Sequence, residues 1–228
     1  TKSEPMIGKR AKALNKVLTE MSIYILPGQL FVGNQAGVPN GAPLYPEYSV
    51  EWIEKEIDEF AERTGDRYSV NLEDRQEILG VVKYWDGGTT EDRVHMLIPC
   101  EVIEAQEQGY LSIKGPMSSG DGHITVDYEM VLRRGLKSII RRLTELNLTN
   151  HEEIRKIPFL KSIPIALDGA IHYAKRHSIL AKEMAEREDN PYRRMELERI
   201  AEVCNWVPEN PARSFREALQ SVLFIQYI

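Results

Sequence analysis

The chain has 228 residues, of which 42% are hydrophobic and 28% are charged, a composition typical of a soluble globular protein and unlike that of a disordered or membrane protein. The net charge of -6 repels phosphate backbones, and Lys and Arg are mixed with Asp and Glu, so nucleic acid is disfavoured as a partner. No apolar run approaches the length of a bilayer, and the two cysteines are too few for a disulfide framework, which together favour a cytoplasmic protein without a membrane partner.

The first quarter of the chain predicts one helix followed by irregular structure. Ser3 begins a helix that runs to Thr19 with apolar residues at helical spacing. Residues 23–25 and 30–32 flank Pro27-Gly28, a type II turn pair, and predict a short hairpin or two edge strands. Glycines and prolines recur through residues 33–46, which predicts a loop.

The middle of the chain predicts three further helices. Ser49 and Asn71 are candidate N-caps, each followed by apolar residues that share a helix face. Thr90 opens a third helix that reaches about Gln108, and Pro99 should kink or split it. A second irregular stretch follows from residue 109 to 123.

The remaining residues predict a mainly α structure. Asp127 is placed to cap a helix that continues to Leu143, and further helices are expected over 159–187, from Asn190 to Asn205 and from a capping box at Ser214. No repeat and no long linker divides the chain, so one helical unit is the simplest interpretation. The apolar run that ends at residue 228 lacks a stop signal, and we therefore expect sequence to be missing after it and before Thr1.

The cysteines and most histidines have an ordinary structural explanation. Cys204 lies on an amphipathic helix, where a thiol is a small core residue, and Cys100 is followed by acidic residues, which oppose a thiolate. His172 and His177 are five residues apart and point to different sides of a helix, so they do not share a metal ion. Asp168 and His172 can hydrogen-bond along the helix face. We expect no metal site and no catalytic residue from these groups.

His123 is the strongest candidate for a functional side chain. It ends a glycine-rich loop, follows Gly122 and precedes the helix-capping Asp127 by four residues. An imidazole at such a junction can hydrogen-bond a substrate hydroxyl or move a proton near neutral pH. A loop histidine that only satisfies backbone groups explains the position equally well.

Six segments, in order, resemble the N-terminal part of the pyruvate formate-lyase-like glycyl-radical enzymes, in particular the branch with cobalamin-independent glycerol dehydratase and choline lyase. They are GQLFVGN (28–34), YPEYS (45–49), RTGD (63–66), YWDGGTT (84–90), GHITVDY (122–128) and PENPARSFREALQ (208–220). The resemblance covers essentially the whole chain. It implies that residues 1–228 are the N-terminal helical portion, incomplete at both ends, of a ten-stranded α/β barrel.

The resemblance also implies where the chemistry lies. In the family, a thiyl-forming cysteine occupies a Gly-Cys-x-Glu loop and the radical glycine an Arg-Val-x-Gly-type loop, and neither motif occurs in this chain. His123 and Asp127 match the Gly-His-x-x-x-Asp-Tyr pattern of the substrate pocket, and we include Ser119 of the same loop as a candidate substrate-binding residue. The family's aromatic-rich run before the histidine is replaced by GPMSSGD (115–121).

The function that follows from the resemblance is elimination of water or an amine from a small polar substrate after hydrogen abstraction by a thiyl radical. The implied protein is an anaerobic cytoplasmic homodimer with no bound cofactor. Its radical is installed, on a residue outside this chain, by a radical S-adenosylmethionine activating enzyme. The alternatives are a formate acetyltransferase, that is, a true pyruvate formate-lyase, and a non-catalytic helical scaffold without the radical core.

Overall fold

A computed structural model describes residues 4–112, 125–145 and 154–228. Every regular element in these ranges is a helix, which agrees with the mainly α prediction. The helices are α1 (Met6–Glu20), α2 (Glu51–Glu56), α3 (Leu72–Trp85), α4 (Thr90–His95), α5 (Cys100–Glu107), α6 (Tyr128–Arg134), α7 (Leu136–Thr144), α8 (Ile157–Arg187), α9 (Pro191–Trp206) and α10 (Phe215–Tyr227). None of the helices described is long and apolar enough to span a membrane.

The chain divides into two compact units, whereas the sequence predicted one. Unit 1 comprises residues 1–41 and 126–228, and unit 2 comprises residues 42–125. The division was not predicted because unit 1 is discontinuous, with one segment on each side of unit 2 in the sequence. The boundary after residue 41 falls within the glycine- and proline-rich stretch 33–46, which was interpreted only as a loop.

Unit 1 is organised around the long helix α8. Helices α1 and α9 pack along it, and the core between them includes Leu18, Tyr173, Ala181 and Leu197. Small residues on α8 allow the close approach: a Cβ on Gly169 would lie 2.8 Å from the Cα of Asn15 in α1. Pro164 is accommodated inside α8 and does not end it. The predicted caps of α9 and α10, Asn190 and Ser214, are confirmed.

The segment between α1 and residue 34 contains the predicted turn but not the predicted strands. Gln29 N donates to Leu26 O at 3.1 Å and Gly28 has φ 74°, as a type II turn requires. The flanking residues form no ladder, so the hairpin prediction is wrong. Side chains take the place of a partner strand: Arg193 donates to Gln29 O and Arg216 donates to Leu30 O.

The helix predicted from Asp127 to Leu143 is two helices. Gly135 separates α6 from α7 with φ 68°, and there the chain approaches residues 208–210. Leu136 N donates to Pro208 O at 2.9 Å, and Lys137 N to Glu209 O at 3.0 Å. The first two backbone N–H groups of α7 have no acceptor within the helix, and these two bonds supply one for each from residues 208 and 209.

Unit 2 packs α2 and α3 around a small core of its own, formed by Val50, Ile53, Ile57, Phe60 and Val82. Asn71 caps α3 as predicted, with Asp74 N at 2.8 Å from its side-chain oxygen. The helix expected from Thr90 to Gln108 is split into α4 and α5, and Pro99 precedes the first residue of α5.

One predicted cap in unit 2 is wrong. Ser49 does not cap α2, which has Val50 at its N-cap without a side-chain bond. Instead Ser49 is buried, and its hydroxyl donates to the Glu91 carboxylate. Its hydroxyl joins α2 to the start of α4, a tertiary contact that local sequence does not reveal.

Candidate functional site

Asp127 is the only one of the three predicted substrate-binding residues that lies within the described ranges. Its Oδ1 accepts a hydrogen bond from Met130 N at 2.9 Å, which confirms its role as the N-cap of α6. Its side chain is exposed, and its Oδ2 accepts no hydrogen bond from the residues that the structure describes. The capping role therefore leaves one carboxylate oxygen able to accept a further bond. His123 and Ser119 lie outside the described residues, so their predicted roles stay predictions.

Helix α6 is fixed in place from both ends. Tyr128, directly after Asp127, donates its hydroxyl hydrogen to Gln226 Oε1 of α10 at 2.7 Å. At the other end, Ala212 N donates to Leu132 O at 3.0 Å. The residue that follows the glycine-rich loop is thus mounted on a helix whose position is set by α10 and the segment before it.

A cluster of three charged residues links α7 to α8. Glu209 lies between Lys137 at 3.0 Å and Lys175 at 2.6 Å. Burial opposes ionisation of Glu209, but the two ammonium groups together outweigh it and lower the pKa of the carboxyl. Glu209 is therefore charged at neutral pH and holds α7 and α8 together.

Two buried side chains bind the backbone of residues 32–34. Gln220 of α10 accepts from Val32 N at 2.9 Å and donates to Val32 O at 2.7 Å. The Tyr173 hydroxyl of α8 accepts from Asn34 N and donates to Asn34 O, both at 2.6 Å. Burial raises the pKa of Tyr173 to about 12, so the hydroxyl keeps the proton that it donates. The GQLFVGN segment is thereby held rigidly at the point where its loop begins.

Gly33 lies between these two attachments. Its φ is 147°, and a Cβ there would lie 2.7 Å from the ring of Tyr227 at the end of α10. Only glycine meets both conditions. Val32, Gly33, Asn34 and Gln220 all lie within the six resembling segments. Because Val32 and Gln220 are 188 residues apart, nothing in the sequence indicates that they pair.

His177 is a fully buried imidazole on α8. Its Nδ1 is 3.0 Å from Tyr173 O, and its ring packs against Tyr173 and Phe224 with centroids 4.6 and 5.5 Å away. Its Nε2 is buried without a hydrogen-bond partner among the residues that the structure describes. Burial lowers the pKa of His177 to about 4, so the ring is neutral at physiological pH. His172 is exposed whereas His177 is buried, so the two point to different sides of α8, as the spacing predicted. His172 bonds the backbone O of Asp168 rather than its carboxylate.

Of the two cysteines, Cys204 has the structural role that the sequence predicted. Cys204 is buried in the core of unit 1, and burial raises the pKa of its thiol, so it is not a nucleophile. Cys100 is exposed at the first residue of α5. No group of three His, Cys, Asp or Glu side chains within 4–112, 125–145 and 154–228 is arranged to hold a metal ion.

Comparison with known proteins places the chain in a family. A model described as pyruvate formate lyase-like matches residues 1–228. The chain belongs to the pyruvate formate lyase-like family. The family predicted from the six segments is confirmed.

Several known proteins are similar to this chain over its whole length. A probable dehydratase, YbiW of Escherichia coli (strain K12), is 36% identical over 229 residues, covering 99% of this chain and 28% of that protein. The glycerol-bound B12-independent glycerol dehydratase from Clostridium butyricum superimposes with a TM-score of 0.92 at 33% identity, covering 100% of this chain and 29% of that one. A glycyl radical enzyme from Archaeoglobus fulgidus gives a TM-score of 0.88 at 34% identity, covering 100% and 30%. The chain thus spans less than a third of the length of the relatives that it matches.

Proposed function

We propose that this chain is the N-terminal helical portion of a glycyl-radical dehydratase that removes water from a small polyol. The observation that carries the proposal is the likeness to dehydratases along the entire chain, including a glycerol-bound one that superimposes with a TM-score of 0.92. In this proposal, residues beyond the chain supply the ten-stranded α/β barrel, the thiyl-forming cysteine and the radical glycine. No other cofactor is needed, and the protein is a cytoplasmic homodimer.

The radical centre would supply abstraction of a hydrogen atom from a carbon of the substrate. The role of this chain in the reaction is to bind the substrate and to transfer a proton to its leaving group. His123 hydrogen-bonds a substrate hydroxyl and, when protonated, donates to the departing oxygen so that it leaves as water. Asp127 accepts a hydrogen bond through Oδ2 while Oδ1 continues to cap α6. Ser119, in the same loop, offers a hydroxyl to the substrate.

The rigid mounting of α6 supports this assignment. A group that positions a substrate has to be held within a fraction of an ångström by its surroundings. Helix α6 is tied to α10 through Tyr128 and to residue 212 through Leu132, and it begins at Asp127. In this proposal, those bonds hold Asp127 and the start of α6 at a fixed position relative to the barrel.

The proposal is tested by assaying the full-length protein after anaerobic treatment with its activating enzyme, S-adenosylmethionine and a reductant. Glycyl radical is quantified by electron paramagnetic resonance, and products from glycerol, propane-1,2-diol and pyruvate with coenzyme A are compared. We expect an aldehyde from a diol and no formate from pyruvate. Formate would establish the acetyltransferase alternative, and the absence of any radical in the wild-type protein would favour the non-catalytic scaffold.

A further inference from the structure

Helix α6 is short and has little apolar packing of its own. Of its seven residues, all of which the structure describes, only Val131 is buried, where it joins a small core with Leu136, Ala170 and Ile171. Apolar contact is non-directional, so one buried side chain does not fix how a helix is turned about its own axis. Directional hydrogen bonds to neighbouring elements therefore have to fix the rotation of α6.

Two such bonds are present, one near each end of α6. Towards the C-terminal end, Ala212 N donates to Leu132 O at 3.0 Å. At the N-terminal end, the Tyr128 hydroxyl donates to Gln226 Oε1 at 2.7 Å. Tyr128 directly follows Asp127 in the chain, so a shift of this first turn of α6 would also move the Asp127 carboxylate.

The acceptor Gln226 lies on a turn of α10 that is itself held in place. The next residue, Tyr227, packs against the backbone of Gly33 so closely that a Cβ on Gly33 would lie 2.7 Å from its ring. The residues on either side of Gly33 are bound through their backbones by the buried side chains of Gln220 and Tyr173. Satisfied buried hydrogen bonds of this kind make a segment rigid. The last turn of α10 is therefore a fixed reference for α6.

The bond between Tyr128 and Gln226 contributes little to the stability of the fold. Tyr128 is half-buried and Gln226 is exposed, so both groups can bond to water when the bond between them is broken. Neither side chain belongs to a buried core cluster. Loss of the bond should therefore change the orientation of α6 and Asp127 more than it changes folding.

We propose that Gln226 is a positioning residue, which acts through Tyr128 to hold the Asp127 carboxylate in the orientation that binds the substrate. This inference rests on the proposed function, which places Asp127 in the substrate pocket. Gln226 itself does not contact the substrate. A small misplacement of a substrate-binding group weakens binding and slows turnover, but it does not affect the radical, which lies on another part of the protein.

The test measures kcat and KM for glycerol and propane-1,2-diol, per glycyl radical, in the activated full-length protein. Tyr128→Phe removes the donor, and Gln226→Leu removes the acceptor. We expect each to raise KM and to lower kcat/KM about tenfold. The double variant should lose no more than either single variant, because all three lack the same bond. Gln226→Glu keeps an acceptor oxygen and should remain within about threefold of wild type.

The matched control is Tyr192→Phe on α9, which removes a hydroxyl from a tyrosine that is 78% exposed and donates to none of the residues that the structure describes. We expect its kcat/KM to stay within about twofold of wild type. Wild-type kcat/KM in Tyr128→Phe, losses that multiply in the double variant, or an equal loss in the control would each overturn the positioning role. A loss confined to radical content, with kcat and KM per radical unchanged, would also overturn it. Absence of the radical in the wild-type protein, or formate from pyruvate, would instead refute the proposed function.

Discussion

His177 shows how a single buried side chain can make the stability of the fold depend on pH. Its ring is enclosed by Tyr173 and Phe224, and its Nε2 is buried without a partner among described residues. Protonation would place a charge in an apolar core, which is why burial lowers its pKa from the ordinary 6.5 to about 4. The neutral imidazole carries no charge and is therefore compatible with the apolar rings around it.

We expect the free energy of unfolding to fall as pH decreases from 6.5 to 4. Above pH 6.5 the folded and unfolded forms are both neutral at this position, so the stability is fully present. Below pH 6.5 the unfolded form binds a proton at this imidazole that the folded form does not bind. The resulting decrease in the free energy of unfolding approaches about 3 kcal/mol at pH 4. Urea denaturation of the intact protein across this range measures the loss.

The substitution His177→Phe should flatten that pH dependence, because phenylalanine has no titrating group. His172→Gln on the exposed side of the same helix is the control and should leave the dependence as in wild type. An unchanged slope in the His177→Phe protein would show that other groups cause the acid sensitivity.

Gly33 makes a second prediction at the residue scale. Gly33→Ala should destabilise the protein by about 2 kcal/mol or more, because the new methyl group lies 2.7 Å from the Tyr227 ring and the φ of 147° disfavours any side chain. Gly80→Ala, within α3 and with open space around it, should instead stabilise by about 0.5–1 kcal/mol. Urea unfolding compares the two, and a stable Gly33→Ala protein would contradict the account.

At the scale of elements, local chemistry determined what could be predicted from the sequence. Asn71, Asp127, Asn190 and Ser214 cap helices as expected, since a cap depends only on the next three residues. Pro99 separates two helices for the same local reason. In the capping box at Ser214, however, the Glu217 carboxylate accepts from Arg213 N rather than from Ser214 N.

The errors arose where a distant segment satisfies the backbone. Residues 23–32 have the composition of strands, but their carbonyls accept from Arg193 and Arg216 of helices far along the chain. Likewise, the periodicity from Val131 to Leu143 is continuous, and the break at Gly135 depends on residues 208–210. Pairings across such separations leave no trace in a single sequence.

The junction of α6 and α7 gives a prediction for an element. Gly135→Ala should cost about 3 kcal/mol or more in unfolding free energy, because a Cβ would lie 2.5 Å from Glu209 O and the φ of 68° is left-handed. Gly109→Ala is the control, because a Cβ there would have no atom within 4 Å and only the φ of 80° is unfavourable. It should lower the free energy of unfolding by about 1 kcal/mol. Equal costs would show that the close approach to residue 209 is not a constraint.

At the scale of the whole molecule, ordered motifs identified the family more effectively than periodicity identified the architecture. Six short segments in the right order led to the pyruvate formate lyase-like family, which the match over residues 1–228 confirms. The division into two units was not foreseen because unit 1 is built from two segments on either side of unit 2 in the sequence. The glycine- and proline-rich stretch 33–46, which contains the boundary after residue 41, was interpreted only as a loop. The candidate site could be predicted only in part. Asp127 has the capping role that its position predicted, because a cap depends on neighbouring residues. The pocket roles of His123, Asp127 and Ser119 stay predictions, because they depend on contacts with residues outside this chain.

The most direct test of the account is the turnover per glycyl radical of His123→Ala in the activated full-length protein, with His172→Ala as the control. A group that hydrogen-bonds the substrate and protonates its leaving oxygen contributes about 10²- to 10⁴-fold. We therefore expect turnover at least about a hundredfold below wild type, with radical content unchanged and the control unaffected. Wild-type turnover in His123→Ala would contradict the claim that this chain forms a wall of the substrate pocket.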